Sequence, residues 1–202
     1  MTGAIKICDL SSSRVGRDMW RTISLHLPND KRSILRFTLL MKKLCLVCAS
    51  SGKNLELSKT IQAEAEKKGF GVQLLDLTEL PLPLYTPKAQ EAGIPDAITQ
   101  LLGDLKTTES FGFLVPEYNG GLPPTVTNFL AWASVATKDW RESFNHKTAF
   151  IGTHSGSGGL HALMALRTQL AYIGMTVLGR QLHTHYSKQL NEEALEDILS
   201  AL

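Results

Sequence analysis

The chain is short of cysteine and of long hydrophobic runs, and each shortage excludes a class of protein. Its 202 residues include three cysteines, too few for a disulfide framework. A low cysteine content fits a reducing compartment, so we expect a cytoplasmic protein. No apolar run approaches the roughly 18 residues that a membrane-spanning helix needs, and we expect no membrane partner.

Positive charge is also scarce outside the first part of the chain. The net charge is +2. Residues 1–40 hold seven Lys or Arg against three Asp, a net +4, whereas residues 41–202 hold fourteen basic residues against sixteen acidic ones, a net −2. The larger part therefore has no excess of positive charge, which argues against a nucleic-acid partner.

The remaining composition is that of one globular domain. Hydrophobic residues make up 43% and charged residues 20%, values that argue against disorder. Residues 1–40 show neither clear periodicity nor helix caps, whereas Met41 opens MKKLCLVCAS, a typical start of a cytoplasmic domain with a central first strand. We expect a domain over residues 41–202, preceded by a poorly ordered extension over residues 1–40 or by a misassigned start.

After Met41, short apolar segments alternate with amphipathic ones. Parallel strands need crossover helices, and right-handed crossovers place helices on both faces of the sheet. The pattern therefore predicts an α/β fold: a three-layer, doubly wound sheet of five parallel strands. The predicted strands cover residues 44–48, 70–77, 110–115, 147–154 and 175–179. The predicted helices cover residues 54–69, 96–108, 125–136, 158–174 and 191–202, with Asn54 and Asn191 as N-caps and Gly69 and Gly174 as C-terminal stops.

Two motifs with metal-binding residue types do not favour a metal site. Cys45 and Cys48 form a C-x-x-C within an apolar strand, where residues three apart point to opposite faces, so we interpret both as core residues. His183 and His185 share a strand face, but no third ligand follows at metal spacing. We therefore predict no metal.

The loop after the first predicted strand, ASSGKN, has residues that suit a phosphate. It leads directly into a helix N-terminus, where backbone amides and the helix dipole attract anions. Ser50 and Ser51 offer hydroxyl groups, Gly52 permits a tight turn and Lys53 adds positive charge. An ordinary capping loop before a helix is the alternative.

The loop after the third predicted strand, PEYNGGLPP, combines flexible and rigid residues. Asn119 and the glycines allow positive φ, while the prolines stiffen the segment. A rigid loop with outward amides suits a flat heteroaromatic ring, and Tyr118 has a ring that can stack on it. The alternative is a tight turn before a helix.

The loop after the fourth predicted strand, THSGSGG, is rich in small residues. Its glycines allow the backbone to approach a ligand closely, and Ser155 and Ser157 add donors. Neither serine has the G-x-S-x-G spacing of a hydrolase nucleophile, so a serine hydrolase is not favoured.

These motifs together resemble a known family. PEYNGGLPPTVTNFLAWAS is similar to P-E-Y-N-G-S-x-P-x-x-x-K-N-x-I-D-W-x-S, and SGSGGLHALMALRTQLAYIGMTVL to S-x-G-x-x-G-G-x-x-A-x-x-x-L-R-x-x-L-x-x-x-G. Both are patterns of the NADPH-dependent FMN reductases with a flavodoxin-like fold, which include quinone, chromate and azo-dye reductases. The resemblance covers residues 41 to about 180 and implies the strand order 2-1-3-4-5.

The resemblance also implies an FMN cofactor held by the three loops. The first loop would hold the phosphate, the second the isoalloxazine edge through backbone amides, and the third would border the ring. The first loop departs from the family pattern G-S-x-R-x-x-S-x-N, since it is shorter and lacks the arginine. The implied cofactor-binding residues are Ser50, Ser51, Lys53, Asn54, Pro116, Glu117, Tyr118, Asn119, Gly120, Ser155, Gly156, Ser157, Gly158 and Gly159.

The implied activity is an NAD(P)H oxidoreductase that passes hydride from a nicotinamide to FMN, and on to a quinone, free flavin or similar small acceptor. No catalytic residue is assigned. The apolar run LPLPLYTP predicts contact with a second subunit, hence a homodimer or tetramer. One alternative is a flavodoxin-type electron carrier without NAD(P)H activity, although flavodoxins are usually strongly acidic. Another is a flavin-free binding or signalling domain on the same scaffold.

Overall fold

The computed structural model of the protein describes residues 41–202, so the extension or alternative start expected for residues 1–40 lies outside the described residues. Within that range, no helix is both long and apolar enough to cross a membrane. The strands are β1 Lys43–Cys48, β2 Gly71–Asp76, β3 Ser110–Leu114, β4 Thr148–His154, β5 Thr176–Val177 and β6 Leu182–Thr184. The helices are α1 Lys53–Lys67, α2 Pro87–Glu91, α3 Asp96–Leu105, α4 Pro124–Ala136, α5 Leu160–Tyr172 and α6 Glu192–Ala201, with a 3-10 helix at Trp140–Ser143.

All strands of the described range join one parallel sheet in the order β2-β1-β3-β4-β5, with β6 also paired to β4. β5 lies beside the start of β4, where Thr148 aligns with Thr176, and β6 lies beside its end, where His154 aligns with Thr184. The predicted strand order and direction are confirmed. β1, β3 and β4 are the central strands, so their loops meet at one edge.

The fifth predicted strand, residues 175–179, is wrong in extent. The chain leaves the sheet after Val177 and returns at Leu182 as a separate strand. The guanidinium of Arg167 on α5 donates to the carbonyls of Val177 and Leu178, at 3.2 and 2.8 Å. These carbonyls are therefore satisfied by a side chain instead of an outer strand.

Helices cover both faces of the sheet, as the predicted three-layer arrangement requires. Side chains of β1 alternate between the faces, so Cys45 and Val47 pack in one cluster while Leu44 and Leu46 pack in the other. The first cluster holds the buried residues of α3, α4 and α5. The second holds the buried residues of α1 and α6. Each face of the sheet therefore has its own apolar core.

Both cysteines of the C-x-x-C motif are buried and free, as expected for core residues. Burial raises the pKa of the Cys45 thiol to about 12. Burial also raises the pKa of Cys48, whose Sγ donates to the Ser50 carbonyl at 3.1 Å. Both thiols stay protonated near neutral pH, which makes them poor nucleophiles and poor metal ligands.

Several helix ends follow the local signals in the sequence. Asn191 caps α6, since its Oδ1 accepts a hydrogen bond from the amide of Ala194 at 2.7 Å. Gly69 and Gly174 follow α1 and α5 with φ of 86° and 98°, values in the left-handed region that favours glycine. These three predictions are confirmed.

Two other local features differ from expectation. The prediction that Asn54 caps α1 is wrong, because Gly52 occupies the N-cap position and the Asn54 side chain makes a tertiary contact instead. The proline-rich connection after β2 contains the unpredicted α2. Thr86 caps this helix by accepting from the amide of Ala89 at 3.0 Å. A five-residue helix is too short to give a clear periodic signal.

Candidate functional site

A cleft of about 340 Å³ lies at the carboxyl edge of the sheet, where β1, β3 and β4 end in loops. Thr78 from the connection after β2 and Tyr186 from the segment after β6 also line it. Among the described residues that line the cleft there is no Asp or Glu. Lys53 and His154 are the lining residues that can carry positive charge. The cleft therefore favours an anionic group.

The loop after β3 is built around a tight turn. The amide of Tyr118 donates to the carbonyl of Gly121 at 3.1 Å, and the amide of Gly121 donates back at 3.0 Å. Asn119 and Gly120 lie between them with φ of 52° and 75°. Two successive positive φ values define a type I′ turn, for which Asn-Gly is the preferred pair. Within residues 41–202, no hydrogen bond engages the amides of Asn119 and Gly120.

The carboxylate of Glu117 ties this loop to the start of α5. Its Oε1 accepts from the Ser157 hydroxyl at 2.8 Å, and its Oε2 accepts from the amides of His161 and Ala162 at 2.9 and 3.2 Å. The Ser157 hydrogen bond, followed by the amide of Ala162, holds the pKa of Glu117 below its ordinary value. Glu117 is therefore an ionised cap, supplied from another loop, at the positive end of a helix dipole.

Hydroxyl groups join the loops after β3 and β4. The Thr153 hydroxyl donates to the carbonyl of Val115 at 2.6 Å, so its oxygen accepts from Ser155 across 2.9 Å. The Ser155 oxygen in turn accepts from the amide of Glu117 at 2.8 Å. Ser155 is buried, and its proton is used within the protein. Its role in this arrangement is to fix the spacing of the two loops.

The first turn of α1 differs from that of α5, because no side chain within residues 41–202 caps its amides. Its N-cap residue is Gly52, and no side chain of the described residues caps the helix. The four amides from Ser51 to Asn54 make no hydrogen bond within residues 41–202. They lie at the N-terminus of a 15-residue helix and border the cleft. Unpartnered amides at a helix N-terminus form a binding site for an anion such as phosphate.

Asn54 fixes the position of this turn relative to β4. Its Nδ2 donates to the carbonyl of His154 at 3.0 Å, and its Oδ1 accepts from the His154 amide at 2.7 Å. The side chain therefore pairs with both the backbone N–H and the backbone C=O of a residue 100 positions away. The residue that was expected to cap α1 holds the loops after β1 and β4 together.

The glycine-rich loop after β4 depends on close backbone packing. Gly159 has a φ of 66°, and a Cβ at this position would lie 2.7 Å from both Cγ2 and Oγ1 of Thr153. Gly158 has a φ of 87°. Only glycine fits position 159, for backbone conformation and for space.

A chain of hydrogen bonds supports this loop from behind. The Gly158 carbonyl accepts from His183 Nδ1 at 3.1 Å, so His183 Nε2 is an acceptor and receives a hydrogen bond from Gln181 at 2.6 Å. The side-chain oxygen Oε1 of Gln181 accepts a hydrogen bond from the Arg167 guanidinium at 3.1 Å. His183, considered above as a possible metal ligand, has both ring nitrogens engaged. No group of three metal-ligating side chains is found among residues 41–202.

The apolar connection after β2 is held in a fixed position. The Pro83 carbonyl accepts from Asn128 at 3.0 Å and from the Trp132 indole at 2.7 Å. Asn128 Oδ1 accepts from the amide of Tyr85 at 2.7 Å. Leu84, between these anchored residues, is 73% exposed. The segment therefore presents an apolar side chain to solvent from an ordered backbone.

Residues 41–189 match the family model described as NADPH-dependent FMN reductase. The chain belongs to this family. The matched range runs from β1 to the segment after β6, so it contains every loop that borders the cleft. The family resemblance inferred from the sequence motifs is confirmed.

Curated relatives of this FMN reductase family member are identical to it at about a quarter of the aligned positions. A probable NADPH:quinone oxidoreductase 2 of Oryza sativa subsp. japonica is 27% identical over 99 residues, 49% of this chain and 47% of the relative. An NAD(P)H-dependent FMN reductase of Pseudomonas aeruginosa is 25% identical over 114 residues, 55% of this chain and 59% of the relative. The chain thus spans about half the length of the curated relatives it matches.

A solved structure supports the fold of the family member. FerB, a flavoenzyme NAD(P)H:(acceptor) oxidoreductase from Paracoccus denitrificans, superposes with a TM-score of 0.63 at 20% identity. The superposition covers 80% of this chain and 94% of FerB. A flavodoxin from the domain Archaea superposes with a TM-score of 0.53 at 15% identity, over 79% of this chain and 92% of the flavodoxin, so the flavodoxin-like fold is confirmed.

The structure places the sequence-predicted site residues of the family member in two groups. Thr78, Thr125, His154 and Tyr186 also line the cleft, and the motifs gave no signal for them. The predicted residues that line it are Ser50, Ser51, Lys53, Asn54, Pro116, Tyr118, Ser155 and Gly156. The others, Glu117, Asn119, Gly120, Ser157, Gly158 and Gly159, belong to the same two loops but are not among the lining residues.

Proposed function

We propose that the protein is an FMN-dependent NAD(P)H oxidoreductase that passes electrons to a quinone, free flavin or similar small acceptor. The observation that carries the proposal is the unpartnered N-terminus of α1 beside a rigid turn with free amides, at one edge of a flavodoxin-like sheet. Family membership and the relatives' names support it. Bound FMN supplies the hydride chemistry, and the chain supplies binding and orientation.

The residues of the cleft fit the phosphate end of FMN. The amides from Ser51 to Asn54 are free donors at the positive end of α1, and Ser50 and Ser51 add hydroxyl groups. The cleft has no carboxylate among its described lining residues, so nothing there repels an anion. Lys53 adds little, because its Nζ is paired with Glu56 at 2.7 Å on the exposed helix surface.

The loop after β3 fits the ring end. Asn119 and Gly120 keep their amides free in a turn whose flanking amides are already paired, so these donors are preorganised. Tyr118 is 50% exposed and lines the cleft, where its ring can stack on a flat ligand. Glu117 acts indirectly, by fixing this turn against α5. Rigid placement of both ends is how this protein contributes to the reaction rate.

The decisive experiment is an absorbance spectrum of freshly purified protein, followed by anaerobic addition of NADPH or NADH. A flavin spectrum that bleaches on addition of either nucleotide, and recovers with a quinone, supports the oxidoreductase. A flavin spectrum that does not bleach supports an electron carrier and contradicts the proposal. Protein that is colourless and takes up no FMN on titration contradicts both and favours a flavin-free binding domain.

A pair of substitutions tests the placement of the ring. Asn119→Asp puts a carboxylate beside the electron-rich edge of the flavin and should weaken FMN binding. Asn119→Gly is the control, because glycine adopts the positive φ of this position without adding charge. Equal FMN affinity in the two variants would contradict the placement of this loop against the ring.

We also propose that the protein forms a homodimer or tetramer. Leu84 is exposed on a fixed segment, and Leu160 and Met164 are 51% and 61% exposed one turn apart on α5. Exposed apolar side chains on ordered elements are typical of subunit contacts. Light scattering should give a mass of two or four chains, and Leu84→Asp should lower it. A wild-type monomer would exclude the assembly.

A further inference from the structure

His154 is an unpredicted residue with an unexplained ring nitrogen. It ends β4 and lines the cleft together with Ser50 and Gly52. Its Nε2 is buried and has no hydrogen-bond partner among the described residues. A buried polar atom without a partner is unusual in a native protein, and a bound ion or water is one of the accepted reasons.

The surrounding hydrogen bonds determine which ring nitrogen carries the proton. The Thr184 hydroxyl donates to the carbonyl of Thr153 at 3.0 Å, so its single hydrogen is already used. Thr184 Oγ1 must therefore accept from His154 Nδ1, which lies 3.0 Å away. Nδ1 is thus protonated in every charge state. A second proton, if taken up, goes to Nε2 and makes it a charged donor.

The charge balance of the cleft identifies the matching ligand group. Of its described lining residues, Lys53 and His154 can be cationic, and Lys53 is already paired with Glu56. His154 also borders a second cavity of about 870 Å³ that is lined by Glu56, Glu192 and Glu193, whereas no described residue that lines the cleft itself is a carboxylate. A proton taken up by His154 would therefore not be neutralised from the side of the cleft. The free amides of the first turn of α1 border the same cleft. A phosphomonoester would satisfy the amides and Nε2 together.

Tyr186 packs against the ring of His154. The two rings meet edge to face with their centroids 5.6 Å apart, and Tyr186 is 82% exposed. So exposed a side chain has little packing to hold one rotamer. Because Tyr186 also lines the cleft, rotation of its side chain would change how much of the His154 ring faces the cleft.

We propose that the His154 imidazolium is a phosphate-binding group of the cleft, and that Tyr186 covers it when no phosphate is present. The inference rests on the proposed function, because it assigns the phosphate of FMN as the ligand. When that phosphate binds, Nε2 takes a proton from solvent or from the monoanionic ester and donates it in a hydrogen bond to a phosphate oxygen. Lys53 is a minor contributor.

Two variants of His154 separate its ring nitrogens. His154→Asn keeps an N–H near the Nδ1 position, so the bond to Thr184 remains, but it removes Nε2. His154→Gln keeps a neutral N–H near the Nε2 position. The dissociation constants of FMN and of riboflavin, which lacks the phosphate, are measured by flavin fluorescence, and thermal melting checks that each variant folds.

The expected result is a loss specific to the phosphate. His154→Asn should weaken FMN about tenfold or more and leave riboflavin unchanged, while His154→Gln should recover part of the loss. In histidine-selective ¹⁵N spectra, both nitrogens of His154 should be protonated in the FMN complex. Tyr186→Ala should bind FMN at least as tightly as wild type relative to riboflavin.

Other outcomes overturn the inference in distinguishable ways. An unchanged ratio of FMN to riboflavin affinity in His154→Asn removes His154 from the phosphate site. Equal losses for both flavins show that His154 maintains the shape of the cleft only. A loss confined to Tyr186→Ala assigns the contact to the Tyr186 hydroxyl. Failure of wild type to bind either flavin contradicts the proposed function itself.

Discussion

Two helices begin at the same edge of the sheet with glycine at the N-cap position. The N-terminal amides of one are capped by a carboxylate of the protein, and those of the other are not capped by any described residue. At α5, after Gly159, the carboxylate of Glu117 accepts from the amides of His161 and Ala162. At α1, with its N-cap at Gly52, the amides from Ser51 to Asn54 have no partner within residues 41–202. One positive helix end is neutralised by the protein, and the other is left available.

This difference shows how one edge of a sheet can offer a single anion site instead of two. An uncapped helix end costs stability, since its amides lose hydrogen bonds that the unfolded chain makes with water. The protein avoids that cost at α5 with a carboxylate from a neighbouring loop. It accepts the cost at α1, where the same donors can bind a ligand.

The largest expected effect comes from exchanging the two N-cap glycines for alanine. Gly159→Ala forces a side chain into a positive φ and against Thr153, and should lower the free energy of unfolding by about 2–4 kcal/mol. Gly52→Ala meets no described atom within 4 Å and should cost about 1 kcal/mol at most. Urea unfolding measures both. Equal losses would contradict the claim that backbone conformation and space require glycine at position 159 but not at position 52.

A carboxylate placed at α1 should make the two helix ends alike. Gly52→Asp supplies an internal anion to the free amides, so FMN should bind about tenfold more weakly while stability stays equal or rises slightly. Gly52→Asn is the uncharged control. Fluorescence titration with FMN and riboflavin gives the affinities. A riboflavin affinity that falls as much as that of FMN would argue against phosphate at this end.

Removing the carboxylate charge of Glu117 tests the cap at the N-terminus of α5. Glu117→Gln should lower the free energy of unfolding by about 1 kcal/mol at pH 7, because the cap loses its charge. Since the pKa of Glu117 is lowered in the folded state, its contribution is complete above the ordinary value of 4.5 and is lost as the pH falls through the folded pKa. Wild type and variant should therefore converge in stability at acid pH.

Urea unfolding at a series of pH values measures this convergence. Glu79→Gln is the matched control, since Glu79 is exposed and makes no side-chain hydrogen bond or ion pair among the described residues. It should show no such pH-dependent difference from wild type. A constant gap between wild type and Glu117→Gln down to the lowest pH would contradict the charged cap.

The smallest expected effect is that of Lys53, the cation nearest to the α1 N-terminus in sequence. Its Nζ is already paired with Glu56, so Lys53→Ala should weaken FMN no more than about threefold. Lys59→Ala, on the exposed side of the same helix, controls for the change in net charge. A loss of tenfold or more in Lys53→Ala alone would show that the side chain, and not the amides, binds the phosphate.

Local chemistry made much of this architecture predictable. The Asn119-Gly120 pair indicated a turn with positive φ, and the structure has one. Asn191 predicted the start of α6, and short apolar segments predicted the central strands, whose order was implied by the family resemblance. Such features depend on residues close together in the sequence, where conformational preference decides the structure.

The contacts that connect the loops were not predictable from local patterns. Asn54 has the residue type of a cap, but its side-chain amide pairs with the backbone N–H and C=O of His154, 100 residues away. The Glu117 carboxylate reaches α5 across 44 and 45 positions, and the bond between His154 and Thr184 spans 30. These pairings depend on tertiary packing, so a single sequence carries no periodic signal for them.

The paired bonds between Asn54 and His154 have a mechanical consequence. They join the first turn of α1 to the end of β4 at two points, so these two walls of the cleft are held together. Any widening of the cleft is then expected on the side of Tyr186, whose ring is 82% exposed. The rate of coenzyme exchange would accordingly be set by that exposed ring, while the spacing between α1 and the end of β4 stays constant.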